Sequence, residues 1–136
     1  MSETKLPEKL SELLRLAVRD AQACEKDPSY TLSMNCWHEQ FYDDKCHVCM
    51  SGAVMAKTLK ASREGCTWPT DFNETDSRRL TSVDRMRAGF LHRADASAQV
   101  SRRFMKFVQG GWDESKERAS WDTYLRAADY LESEGL

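Results

Sequence analysis

Apolar residues recur along this chain mostly at helical spacing, and the clearest stripe comes first. Leu6, Leu10, Leu13, Leu14, Ala17, Ala21 and Cys24 share one face of a helix predicted from about Pro7 to Lys26. Proline suits the first turn, where its missing N–H would have no partner anyway. Pro28 ends the helix by pushing Asp27 out of the α region. A different pattern marks Cys46 to Lys60, CHVCMSGAVMAKTLK, where apolar or small residues cover most of the circumference. Only His47, Ser51 and Thr58 form a narrow polar stripe. A helix apolar nearly all round is a buried one, so this stretch is expected to be the central core helix. Gly52 and Ala56 stand four apart, as do Cys49 and Ala53, which lets other backbones approach on two sides.

Between these two segments the period breaks. Tyr30, Leu32 and Met34 alternate with polar residues as a short extended piece would, and Trp37, Phe41 and Tyr42 load the following loop with aromatic surface. Asp43 and Asp44 are placed to cap the positive end of the central helix. After a connection holding Gly65, Trp68, Pro69 and Phe72, a third helix is expected from about Asp76 to Ala94, capped by Thr75. Its face is Leu80, Val83, Met86, Phe90 and Ala94, with Arg87 lying anomalously in the stripe. A fourth helix, from about Ser97 to Val108, carries Val100, Phe104, Phe107 and Val108, and Gly110-Gly111 stops it. The last helix, from about Asp113 to Glu134, carries Trp121, Tyr124, Leu125, Ala128 and Leu131, with Gly135 just past its end. The prediction is a mostly α, single compact domain (1–136) of about five helices around a buried central helix, with long aromatic-bearing loops.

Composition changes this picture little. The chain has 136 residues, 31% of them charged, and a net charge of −2, which suits one soluble domain with a core of its own. No run approaches the roughly 18 apolar residues of a membrane span. The beginning, MSETKLPEKLSELL, lacks the pattern of a secretory signal. Five cysteines, two of them in the expected core helix, point to reduced thiols in a cytosol.

Charge is distributed unevenly, and that does change the picture. Residues 78–106 carry 8 Lys+Arg against 2 Asp+Glu, whereas the segments on either side are each acidic by four charges. If two antiparallel helices present Arg78, Arg85, Arg102 and Arg103 together, the stretch can meet an anionic partner, and Arg87, in the apolar stripe, is expected to lie at a partner surface as well. The alternative for Arg87 is a carboxylate inside the fold. Nucleic acid is the lesser reading of this stretch, because the pI is about 5.9, far below that of dedicated nucleic-acid domains.

Cys36, His38, Cys46, His47 and Cys49 fall within fourteen residues. Zinc takes four such ligands in a tetrahedron, so Cys36, His38, Cys46 and Cys49 form a candidate site. The competing reading makes Cys46 and Cys49 small hydrophobes of the core. A redox CxxC needs a preceding strand in a βαβ context, and the pattern shows none. A cysteine nucleophile would need an oriented base, and no third residue can be named to orient His38 or His47. No glycine-rich phosphate loop, GxSxG elbow, HExxH pair or EF-hand loop occurs. The expectation is a protein that is not an enzyme and needs no cofactor, zinc being the alternative. Trp37, Tyr42, Trp68 and Trp112 bury loops onto the bundle, or anchor an interface where two are exposed together.

The stretch LLRLAVRDAQACEKDPSYTLSMNCWHEQFYDDKCHVCMSGAVMAKTL, with a weaker echo in RRLTSVDRMRAGFL, resembles a family of small accessory proteins encoded by tailed bacteriophages and prophages. The resemblance implies a bacterial cytoplasmic setting and a role in binding a host or phage protein. The expected function is therefore non-enzymatic protein binding through the basic helices and adjoining aromatics. A small zinc-stabilised domain, contacting nucleic acid, is the alternative. Self-association stays open, and no membrane partner is expected.

Overall fold

Helix α1 (Leu10–Lys26) is the element that most of the others pack upon. In the computed structural model, which describes residues 6–34, 37–40, 44–61, 72–91, 96–110 and 119–136, it meets α2, α3, α5 and the small sheet. The expected stripe is its buried face: Leu10, Leu13, Leu14, Ala17, Ala21 and Cys24 are all inside. Asp20 is buried with them and accepts a hydrogen bond from Thr58 Oγ1, so this carboxylate is satisfied rather than stranded.

Three short strands follow, β1 (Tyr30–Leu32), β2 (His38–Gln40) and β3 (Cys46–Val48), in the order β1-β3-β2. Strand β1 runs parallel to β3 with Tyr30 opposite Cys46, and β2 runs antiparallel with His38 opposite Val48. The first half of the expected central helix is thus partly strand. Cys46 and Val48 point inward while His47 is half-buried, a period of two that three residues can hold without disturbing the helical pattern beyond. Of the extended piece predicted over Tyr30, Leu32 and Met34, the part Tyr30–Leu32 is β1, and Met34 lies beyond the strand.

Helix α2 is shorter than expected, Met50–Lys57, and every residue from Met50 to Ala56 is buried. Burial on all sides holds, although α1 is the hub of the interhelical packing. Asp44 does not cap α2: Cys49 is the N-cap, its sulfur accepting from Gly52 N, and Asp44 sits in a left-handed conformation (φ 60°) before β3. Asp43 lies outside the described residues.

Helix α3 (Glu74–Arg85) begins one residue after Asn73, whose side chain, rather than that of Thr75, caps it. It stops earlier than Ala94. A 3₁₀ turn (Met86–Ala88) leads into Gly89 at φ 82°, and Phe90 N–H reaches back to the Arg85 carbonyl. Leu80, Val83 and Met86 are buried as expected, but Phe90, beyond the break, is 51% exposed. Helix α4 (Ala98–Gly110) and helix α5 (Trp121–Ser133) pack on each other, with Phe107 stacked on Tyr130 at 5.7 Å. Leu125, placed by periodicity on the α5 core face, is 40% exposed, and Ala127 takes the inward position. One connected apolar cluster joins all five helices. The expected start of the last helix near Asp113 lies outside the described residues. No helix among the described residues is long and apolar enough to cross a membrane.

Candidate interaction surface and the buried thiol–carboxylate contact

The CxxC sulfurs fall in two different elements and two different chemical states. Cys46, on β3, is disulfide-bonded, and Cys49 is a free, buried thiol at the start of α2. The expectation of reduced thiols throughout is corrected by that bond. A strand does precede the CxxC helix, contrary to the sequence reading, but the two cysteines of the motif are not joined to each other.

The buried contact here links Cys49 to α3. Its thiol donates to Asp84 Oδ2 at 3.0 Å, and Ser51 N–H donates to Asp84 Oδ1 at 3.2 Å. A carboxylate from a neighbouring helix therefore sits at the positive end of α2, the role expected of Asp43 or Asp44. Burial, then the charge and hydrogen bond of Asp84, push the Cys49 thiol well above the ordinary range. Burial likewise holds Asp84 above its usual value, against the hydrogen bonds from Cys49 and Ser51. A thiol whose ionisation is opposed by an adjacent carboxylate is a poor nucleophile and a poor metal ligand. Cys24 is also free and buried, its thiol pushed up to about 12, chiefly by burial. Among the described residues no group of three or more His, Cys, Asp or Glu could hold a metal ion. For the predicted zinc set, Cys36 lies outside the described residues, His38 is buried on β2, Cys46 is in a disulfide and Cys49 faces Asp84. That donor set does not fit zinc. His47, placed by helical spacing beside Ser51, lies on β3, and Ser51 Oγ donates instead to the Leu80 carbonyl.

The basic residues separate into engaged and unengaged. Arg78 faces Glu74 at 3.7 Å, Arg103 faces Glu134 at 3.3 Å, and Arg79 donates to the carbonyls of Pro7 and Glu8, strapping the start of the described chain to α3. Arg87 is half-buried on the 3₁₀ turn, and its charge acts on Asp84. Arg85 and Arg102 are exposed, and among the described residues their side chains make neither hydrogen bond nor ion pair. The same holds for Lys106.

These cations are not arranged as two antiparallel helices side by side. Helix α4 packs on α5 and on the 3₁₀ turn after α3. Its outward residues are Gln99, Arg102, Arg103, Lys106 and Gln109, the spacing of one helix face. Gly89 lies against this helix: a Cβ built on it would be 3.4 Å from Gln109 Cγ and 3.7 Å from the Met105 carbonyl oxygen. Phe90 therefore emerges beside the last turns of α4, and Arg85 precedes it by five residues. Among the described residues Phe90 and Leu125 are the exposed large hydrophobics. Of the expected loop aromatics, Trp37 is half-buried against the core, while Tyr42, Trp68 and Trp112 lie outside the described residues. Sequence reasoning missed Phe90 because its spacing continues the α3 stripe; the adjacent Gly89 was the signal of a break. Comparison with family models, with curated proteins and with solved structures found no match to this chain.

Proposed function

We propose that this chain is a non-enzymatic accessory protein that binds another protein through the outward face of α4, together with Arg85 and Phe90. The observation that supports this most is the pairing of unengaged cations with an exposed aromatic: Arg85, Arg102 and Lys106 lie on or next to the segment that carries Phe90. Arginine and aromatic side chains are the types that concentrate binding energy at protein interfaces. Arg103 stands at the margin of the face; Arg78, which faces Glu74, and the half-buried Arg87, whose charge acts on Asp84, are set aside as contacts. The inert thiols of Cys24 and Cys49 favour the non-enzymatic reading.

The proposed setting is a phage or prophage gene product acting on host or phage machinery in a bacterial cytoplasm. The disulfide at Cys46 stands against that compartment, since reduced thiols are the rule there. Alkylation of protein acid-quenched in cells, then unfolded without reductant, decides between them: five modified cysteines support the cytoplasm, and three exclude a reduced state. For the surface, affinity capture from bacterial lysate with wild type and the double variant Arg85→Glu/Arg102→Glu is the test. Loss of captured partner with an unchanged circular-dichroism spectrum supports the surface; equal capture by the folded variant refutes it.

A further inference from the structure

The face on α4 has a definite charge outline, and that outline selects its occupant. Arg102 and Lys106 stand one helical turn apart, about 6 Å along the axis. The neighbouring α5 does not extend the free positive charge: Arg126, which lies over the α4 ring of Phe107, faces Asp122 at 3.8 Å, and Glu134, just past the helix end, already holds Arg103. The unengaged cations of this strip are therefore confined to one helix, with Glu134 and the carboxylate of the Asp122–Arg126 pair at its α5 edge. A nucleic-acid strand carries a phosphate about every 3.4 Å and would run off the strip onto that acid. An anionic membrane is broader still. A short peptide segment can place two or three carboxylates on the strip and stop there. Phe90, half its surface in water, adds an apolar contact at the edge of the strip.

We propose that the occupant of the α4 face is an acidic polypeptide segment, in which Asp and Glu side chains meet Arg85, Arg102 and Lys106 and one large apolar side chain packs on Phe90. Carboxylates at helical i, i+4 spacing, or two apart on an extended strand, match the one-turn separation of Arg102 and Lys106. This inference rests on the protein-binding reading above and assigns the chemistry of the partner.

The test is selection from a displayed random-peptide library on the intact chain. Expected are peptides rich in Asp and Glu around a Phe, Leu, Ile or Trp. A synthetic peptide of the selected sequence should then bind in a salt-sensitive manner. Affinity should fall about a hundredfold in Arg85→Glu/Arg102→Glu and about tenfold in Phe90→Ala, equivalent to about 2.8 and 1.4 kcal/mol. Arg85→Gln/Arg102→Gln, which removes charge without reversing it, should give an intermediate loss. All of these substitutions fall at three exposed side chains, and circular dichroism checks the fold. Single-stranded oligothymidylate should not displace the peptide. Selected peptides without acidic bias, no enrichment at all, affinity unchanged in the folded variants, or displacement by oligothymidylate would each overturn the assignment. If lysate capture depends on Arg85 and Arg102 but the peptides are not acidic, the partner chemistry is wrong and the surface stands. If capture ignores both residues, the surface itself is wrong.

Discussion

Gly52 offers a test in which two physical rules predict opposite signs. It lies inside α2, where glycine is ordinarily a poor choice: replacing it by alanine in a helix interior is worth about 1 kcal/mol. Here, however, the main chain of Trp37 crosses the helix at this position. A Cβ on Gly52 would fall within the carbonyl group of Trp37 and come within 3.1 Å of Val48 Cβ. Overpacking against mobile side chains costs about 1–3 kcal/mol. A backbone carbonyl has less room to yield, because Trp37 leads directly into β2, which is paired with β3. Any retreat of Trp37 also pulls its carbonyl from the Cys49 sulfur, now 4.0 Å away. Subtracting the propensity gain, Gly52→Ala should destabilise the fold by about 3 kcal/mol, a large part of the roughly 5–15 kcal/mol that holds a domain together. At about 2–8 °C per kcal/mol the melting temperature should fall by about 10 °C. Thermal and urea unfolding followed by circular dichroism measure this directly. A midpoint unchanged or raised, as propensity alone requires, would refute the close approach of Trp37.

Three further outcomes follow from the same core. Ser51→Ala leaves the Leu80 carbonyl without its buried donor and should cost about 1–3 kcal/mol in urea unfolding; a neutral result would mean that contact is not formed. Because burial raises the Asp84 carboxyl above its unfolded value, its contribution favours folding below about pH 4 and is lost as pH rises through the folded value. Asp84→Asn should therefore be the more stable form at pH 7, the gap closing toward pH 4, and a wild type that gains on the variant as pH rises would reverse the argument. Cys24 and Cys49, with ionisation suppressed, should resist maleimide at pH 7.5 in folded protein and react fully in urea; rapid labelling of either without unfolding would contradict their burial.

The helices were legible because each carries a stripe long enough to fix its period. For α1 a stripe of seven apolar positions from Leu6 to Cys24, six of them within the helix, and Pro28 left little freedom, and the observed helix differs from the predicted one by three residues at its start. The sheet was not legible, because strands of three residues are shorter than any pattern that separates a period of two from 3.6. Cys46, His47 and Val48 adjoin an apolar run and read as its first turn. Phe90 failed for the opposite reason: periodicity ran on through Leu80, Val83, Met86 and Phe90, while the left-handed Gly89 ended the helix. For the surface, sequence supplied the basic segment but not its division. Arg79 is spent on two backbone carbonyls, and Arg78 and Arg103 on glutamates of their own or a neighbouring segment. Which arginines stay unengaged depends on where distant chain ends come to lie, and local pattern carries no such information.

The buried contacts of α2 and the exposed face of α4 are linked through α3, and the link has a consequence for binding. Ser51 holds the Leu80 carbonyl, and Cys49 and Ser51 together hold Asp84, one residue before the end of α3. The 3₁₀ turn that follows sets Gly89 against α4, and Gly89 sets the exit of Phe90. Asp84→Ala removes both hydrogen bonds at the end of α3 while leaving every outward residue in place. It should loosen the Gly89–α4 contact and weaken acidic-peptide binding about tenfold, at a temperature where the variant is still folded. Asp84→Asn keeps the acceptor for Ser51 and should bind as wild type does. Arg15→Ala, which breaks ion pairs to Asp129 and Glu132 on the far side of α5, is the control with no path to Phe90 and should leave affinity unchanged. If Asp84→Ala binds as tightly as Arg15→Ala, the surface does not depend on α3 for its position, and Phe90 is held by α4 alone.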